Sequence, residues 1–288
     1  MKQKFYQLAQ LIRFFQPTGT FLLILPCLMA IAIIYKTQNN IENIIFFKTI
    51  FWFIIGAFFA RSGGCIINDL LDCKFDKKVA RTKNRPLASG KISKSSAIKL
   101  LMLISGFAFL ILLQFNFAAI IAGIVAVILI CCYPLAKRFI KYPQIFLGIT
   151  FNFGIIMASL ALLNSLNPSA IFLFLACIFW TFLYDSIYSF QDLEDDLKIN
   201  INSTAVAIHN SKPKNFLIRL ALATTLSFFL VGIAEDFSFI YYFLISLIGG
   251  FLIYKIIKID LKNPAQCLAV FKLNIFIGLL FLIAILCG

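Results

Sequence analysis

Twelve acidic residues stand in this 288-residue sequence, and eight of them fall in two short segments. The first reads Asn68-Asp69-Leu70-Leu71-Asp72-Cys73-Lys74-Phe75-Asp76, with aspartates three and then four residues apart. The second runs from Tyr184-Asp185 through Tyr188 to Gln191-Asp192-Leu193-Glu194-Asp195-Asp196. On helices each set would present one acidic face, because residues three and four apart are surface neighbours. An amide-Asp-Leu-x-Asp pattern occurs in both, Asn68 to Asp72 and Gln191 to Asp195, which suggests a weak internal duplication bringing two acidic faces together. Like charges on one face repel, so something cationic must offset them. Carboxylates with Asn and Gln carbonyls, without His or paired Cys, are hard oxygen ligands suited to Mg²⁺ rather than zinc. Mg²⁺ is commonly completed by substrate phosphates, so two acidic faces suggest a diphosphate held between metal ions. One cluster alone would read as an ordinary charged face neutralised by Lys74, Lys77, Lys78, Arg81, Lys83 and Arg85; two matching clusters favour the metal site, and the cations then serve phosphate oxygens.

The elements that must carry these faces are membrane helices. With 61% hydrophobic and 13% charged residues and a mean hydropathy of +0.96, the composition excludes a water-solvated globule. Nine continuously apolar stretches, with cores near 18–35, 44–63, 97–114, 117–135, 145–163, 169–188, 214–232, 238–257 and 268–287, approach the roughly 20 residues a span needs. They lack the alternation of membrane strands, so the expected fold is all-α: a polytopic bundle of about nine transmembrane helices around a central cavity, one domain over 1–288. Joints fall at Asn39-Asn40 and at other polar or proline-containing places, with two long aspartate-rich loops at about 64–96 and 189–213. If alternate joints share a side, 24 of the 26 lysines and arginines lie together, leaving Lys36 and Lys48 opposite. That asymmetry places the N-terminus and both long loops in the cytoplasm. It also accounts for the net charge of +14 without nucleic acid, the cations facing membrane lipid headgroups instead.

The remaining polar residues invite plainer readings. The eight cysteines are scattered, without a CxxC pair, and read as packing residues, Cys73 alone lying in a long loop. The N-terminal segment lacks a signal-peptide cleavage pattern, so the first span is expected to be retained. His209 reads as a loop residue, Glu235 and Asp236 as helix-end charges, and Asn274 as an interhelical hydrogen bond or a site residue.

A diphosphate site in a membrane protein suggests an isoprenoid diphosphate, its tail between helices and its head at the cytoplasmic rim. An allylic diphosphate ionises once its leaving group is neutralised, and the resulting cation needs a dry, aromatic-lined cavity. Asn68-Asp69-x-x-Asp72-x-x-x-Asp76 with Arg81-Thr82-x-Asn84-Arg85-Pro86-Leu87-x-Ser89-Gly90 resembles the first signature of the UbiA superfamily of intramembrane aromatic prenyltransferases, and the second cluster resembles its other aspartate motif. Pro17-Thr18-Gly19-Thr20, Tyr133-Pro134-x-x-Lys137-Arg138, Pro143-Gln144-x-x-Leu147-Gly148, Tyr184-Asp185-x-x-Tyr188, Lys198-Ile199-x-Ile201-x-Ser203-Thr204-Ala205 and Cys267-x-x-x-Phe271-Lys272-x-Asn274 resemble the 4-hydroxybenzoate polyprenyltransferases within it.

The resemblance implies Mg²⁺-dependent transfer of a polyprenyl chain from polyprenyl diphosphate to the ring carbon ortho to the hydroxyl of 4-hydroxybenzoate, in ubiquinone biosynthesis at a bacterial inner membrane. Asn68, Asp69, Asp72, Asp76, Asp192, Asp195 and Asp196 would hold the metals. Lys77, Arg81, Arg85 and Lys198 would bind substrate, Asp185 would orient or deprotonate the phenol, and Tyr188 would be a further catalytic residue. Arg138 or Arg13 would receive the benzoate carboxylate. Gln191 and the crowded acids from Leu193 to Asp196 depart from the family pattern and leave open which acid ligates. The rival readings are a sister prenyltransferase acting on another aromatic acceptor, haem or chlorophyllide, and a cation or organophosphate transporter, which would need acids near mid-bilayer.

Overall fold

A computed structural model describes residues 2–38 and 41–288, and the expected joint at Asn39-Asn40 lies outside the described residues. Among the described residues nine helices are long and apolar enough to cross a membrane. They are α2 (Thr18–Thr37), α3 (Asn43–Asp76), α4 (Lys94–Leu112), α5 (Phe117–Phe139), α6 (Pro143–Leu163), α7 (Pro168–Ser189), α10 (Pro213–Ala234), α11 (Phe239–Lys258) and α12 (Pro264–Cys287). Three short helices add α1 (Lys2–Leu11), α8 (Leu193–Ile199) and α9 (Thr204–Ile208). The protein is an all-helical integral membrane protein.

The polar joints of the sequence are helix caps. Asn116, Asn167 and Asn263 accept from backbone N–H groups in the first turns of α5, α7 and α12. Pro143, Pro168, Pro213 and Pro264 occupy first-turn positions, where a missing N–H costs nothing. The spans then close into a ring in chain order, from α2 against α3 round to α12 against α2. α7 touches α6, α10, α12 and α2 and is apolar nearly all round, with Leu173, Cys177 and Trp180 fully buried. Trp180 donates its indole N–H to Asn274 Oδ1 at 2.8 Å, joining α7 to α12. Asn274 is therefore an interhelical hydrogen bond. Asn274→Ala leaves that buried donor unpaired and should cost about 1–3 kcal/mol, read as a lower Tm in detergent; an unchanged Tm would contradict the assignment.

Two boundaries differ from expectation, and both matter for the site. The expected loop from about residue 64 begins instead at residue 77, because α3 runs unbroken for 34 residues to Asp76. At 1.5 Å per residue it is about 51 Å long, well beyond a hydrocarbon core of about 30 Å. No proline interrupts it, and buried Ile66 and Cys73 pack its last turns against Leu11 and Leu87. Asp69, Asp72 and Asp76 thus stand on a rigid helix end, and Cys73 is a core residue of that helix. In the second segment a 3₁₀ turn at Phe190–Asp192 separates α7 from α8, so the acids do not continue one helical face. His209 ends α9, where its Nδ1 lies 2.7 Å from Val206 O, and Glu235 follows α10 and accepts from Asn167.

Candidate active site

The ends of α3 and α7 face each other across a cleft of about 960 Å³. From α3 it takes Arg61, Asn68, Asp69, Asp72 and Asp76; from α7 and the turn after it, Tyr184, Asp185, Tyr188, Gln191 and Asp192; and from α8, Asp196. Arg13, Arg81, Arg85 and Lys137 also line it. The two acidic segments expected to meet do meet.

Charge is matched side chain by side chain. Asp69 is 1% exposed, and its Oδ1 accepts from Arg13 Nη2 at 2.6 Å and Arg85 Nη1 at 3.2 Å. Arg85 Nη1 also donates to Asp76 Oδ2 at 2.9 Å. Arg81 pairs with Asp192 through Nε at 2.8 Å and through Nη2, donates from Nη1 to the Tyr188 hydroxyl at 3.0 Å, and lies over the Tyr188 ring. Burial works against the Arg81 charge, but its hydrogen bonds to Asp192 and the neighbouring Tyr188 and Asp192 outweigh it and raise its pKa, so it stays cationic. Lys137 and Arg138 approach Asp72 at 3.7 Å each.

Each arginine owes its place to local backbone. Arg13 sits just beyond α1 in the left-handed region, φ 61°, where its guanidinium also donates to Gln10 O and Leu11 O. Arg81 and Arg85 lie on turns after α3 that are closed by Thr82 N to Val79 O and Arg85 N to Thr82 O. On the far side, buried Gln144 accepts from both the backbone N–H and the hydroxyl of Thr204, and Ser189 accepts from Ala205 N, so α9 is pinned beside α7. Pro143-Gln144-x-x-Leu147-Gly148 is thereby explained: Pro143 starts α6, Gln144 holds the second loop, and a Cβ at Gly148 would meet Ile178 O at 3.0 Å.

The structure leaves four expected site residues out of the lining: Lys77, Arg138, Asp195 and Lys198. Arg138 is adjacent to Lys137, and neighbours on a helix point about 100° apart, so only Lys137 faces the cleft; Arg138 instead donates to Leu71 O at 3.3 Å and lies over Phe75. Asp195 Oδ2 accepts from Ala80 N at 2.8 Å, tying α8 to the loop after α3, with Lys198 3.9 Å away. Asp195→Ala should then loosen the 77–93 loop, seen as faster amide exchange there, while costing less than about tenfold in turnover; a loss equal to that of Asp192→Ala would make Asp195 a ligand.

One cleft cation escaped the sequence reading. Arg61 lies two helical turns before Asn68, about 10 Å deeper along α3, over the Phe151 ring at 5.3 Å. Unlike Arg13, Arg81 and Arg85, it has no ion pair among the described residues. Gly19 makes its room: a Cβ there would fall 2.7 Å from Arg61 Nε.

For a divalent cation the donors fit by type and by need. They are all oxygen, and Asp69 Oδ2 is buried without a hydrogen-bond partner. Among the described residues no three acidic, His or Cys side chains form a closed cage. Mg²⁺ does not require such a cage, since it takes one or two carboxylates and completes its shell with water and substrate phosphate.

The chain matches the model of the UbiA prenyltransferase family over residues 19–280. It is 39% identical to the mitochondrial 4-hydroxybenzoate polyprenyltransferase of Caenorhabditis elegans, over 94% of this chain and 75% of that one. It is 37% identical to the 4-hydroxybenzoate octaprenyltransferase of Blochmanniella pennsylvanica, over 98% and 96%. A UbiA homolog from Archaeoglobus fulgidus bound to GPP and Mg²⁺ shares its fold at a TM-score of 0.66 and 16% identity, over 98% of this chain and all of that one. The paired acidic helix ends and a match across nearly the whole chain lead to one conclusion: this chain belongs to the UbiA prenyltransferase family.

Proposed function

We propose that the chain transfers a polyprenyl group from polyprenyl diphosphate to the carbon ortho to the hydroxyl of 4-hydroxybenzoate, a step of ubiquinone biosynthesis, at the cytoplasmic face of a bacterial inner membrane. The observation that carries this reading is the single cleft in which acids from α3 and α7 stand among arginines while an unpaired cation, Arg61, lies deeper. The relatives' shared acceptor supports the choice of 4-hydroxybenzoate.

Asn68, Asp69, Asp72, Asp76, Asp192 and Asp196 are the residues to hold Mg²⁺. When bound, it supplies charge neutralisation for the departing diphosphate. Arg81 and Arg85 lie where phosphate oxygens would meet them, and Arg13 steadies Asp69 from the other side. The allylic C–O bond breaks and diphosphate leaves. The cation that remains is flanked by Tyr133, Tyr188 and Phe271, whose π faces favour it and whose bulk excludes water. Arg61, unpaired among the described residues where Arg13 is paired, and in the lining where Arg138 is not, takes the benzoate carboxylate. Asp185, in the same lining, orients the phenol so that its electron-rich ortho carbon attacks; the new C–C bond forms and the ring proton passes to this carboxylate.

Purified protein given labelled polyprenyl diphosphate and equal amounts of 4-hydroxybenzoate and competing aromatic acceptors should yield 3-polyprenyl-4-hydroxybenzoate as the main product, with one diphosphate released per transfer. Preference for another acceptor would overturn the substrate assignment, and absence of any prenylated aromatic product would overturn the reaction.

A further inference from the structure

A second cavity, of about 320 Å³, lies on the other side of α1 and shares no residue with the catalytic cleft. Its walls are Gln3, Lys4 and Gln7 from α1, and Lys91, Ile92, Ser93 and Ser96 from the chain entering α4. Positions 3, 4 and 7 form one face of a helix, whereas Tyr6 and Gln10 form another that borders the cleft. Among the described residues neither Lys4 nor Lys91 has an acidic partner. No acid lines this cavity, whose polar walls besides the two exposed lysines are amides and hydroxyls.

Its position selects the ligand. It opens beside the first turn of a membrane span, at the cation-rich end of the bundle, where a lipid headgroup sits. Leu103, two turns from Ser96 on the same face of the membrane span α4, is exposed, as is Phe5 beside Lys4 on α1. Charged groups above and apolar groups below match an amphiphile lying along α4. We propose that this cavity binds the phosphate of an anionic phospholipid, with Lys4 and Lys91 as paired countercharges and Gln3, Gln7 and the serine hydroxyls as hydrogen-bonding partners. Basic pockets at the ends of membrane helices select anionic lipids in this way, each lysine near the surface contributing about fivefold in affinity. A bound headgroup would also brace α1, the helix that leads into Arg13 and so to Asp69.

The test uses the full chain in neutral detergent with phosphatidylglycerol or phosphatidylcholine added, read by native mass spectrometry and by thermal unfolding. The unsubstituted protein should retain phosphatidylglycerol in preference to phosphatidylcholine and unfold at a higher temperature with it. The double variant Lys4→Gln/Lys91→Gln should bind phosphatidylglycerol about thirtyfold more weakly and lose the thermal shift, while Lys262→Gln, a surface lysine elsewhere, changes neither. Lys4→Arg/Lys91→Arg should keep both, which separates lost binding from lost folding. Equal binding by the double glutamine variant, or an equal loss in Lys262→Gln, would overturn the proposal. So would inorganic phosphate reproducing the shift, since it would identify a free-anion site. Prenyl transfer plays no part in the readout, so failure here is distinct from failure of the proposed reaction.

Discussion

Replacing Asp72 or Asp192 by alanine is expected to lower kcat by about 10²–10³-fold, the range seen when one preorganised electrostatic group is removed from a reacting centre. The two stand on different helices, Asp72 on α3 and Asp192 on the turn after α7, yet line one cleft. Each also sits against cations, Lys137 and Arg138 for Asp72 and Arg81 for Asp192, so removal unbalances the charge that the diphosphate meets. If both serve one leaving group, the double variant should cost little more than either single one, because groups acting as a unit are not additive. Steady-state rates at saturating substrate, with size-exclusion profiles to show folding, decide this. Retained Mg²⁺-dependent turnover in either single variant would remove that residue from the metal site.

The second large effect is expected at Arg61. Arg61→Ala should reduce kcat/KM for 4-hydroxybenzoate by about 10²–10³-fold, the scale of a buried charge left without its partner. Because the proposed contact is to the carboxylate, the loss should shrink to below about tenfold with an uncharged analogue of the acceptor. Gly19→Ala should act in the same direction more mildly, since its methyl group would displace the guanidinium without removing it. Equal losses on charged and uncharged acceptors would assign Arg61 to the diphosphate instead.

Much of this site was legible in the sequence because its strongest signal is compositional. Acids are scarce in an apolar chain, and the spacing of Asp69, Asp72 and Asp76 declares a helix face wherever the helix ends. The nine spans were equally plain, since apolar stretches of that length have few alternatives. What escaped depended on rotation and depth. Lys137 and Arg138 are adjacent letters that point about 100° apart, and which faces inward is decided by how α5 packs. Asp192 lies on the 3₁₀ turn at Phe190–Asp192, whereas Asp195 and Asp196 follow on α8, where adjacent residues again point about 100° apart, so Asp196 lines the cleft and Asp195 fastens a loop; no local spacing rule announces that turn. Arg61 is masked by company: it stands just before the cation-rich stretch from about residue 64, yet it belongs to a helix interior. An arginine seven residues before Asn68, inside an apolar run, was the available signal, because charge within a span is costly and usually faces a cavity.

The central claim is that the ends of α3 and α7 form one diphosphate site dependent on Mg²⁺. Its most direct measurement is equilibrium binding of an unreactive allylic thiodiphosphate to the purified protein, with Mg²⁺ and with chelator, in the unsubstituted chain and in Asp72→Ala and Asp192→Ala. Binding should require Mg²⁺ and weaken at least tenfold in both variants. Tight binding in chelator, or a loss confined to one of the two helices, would contradict it.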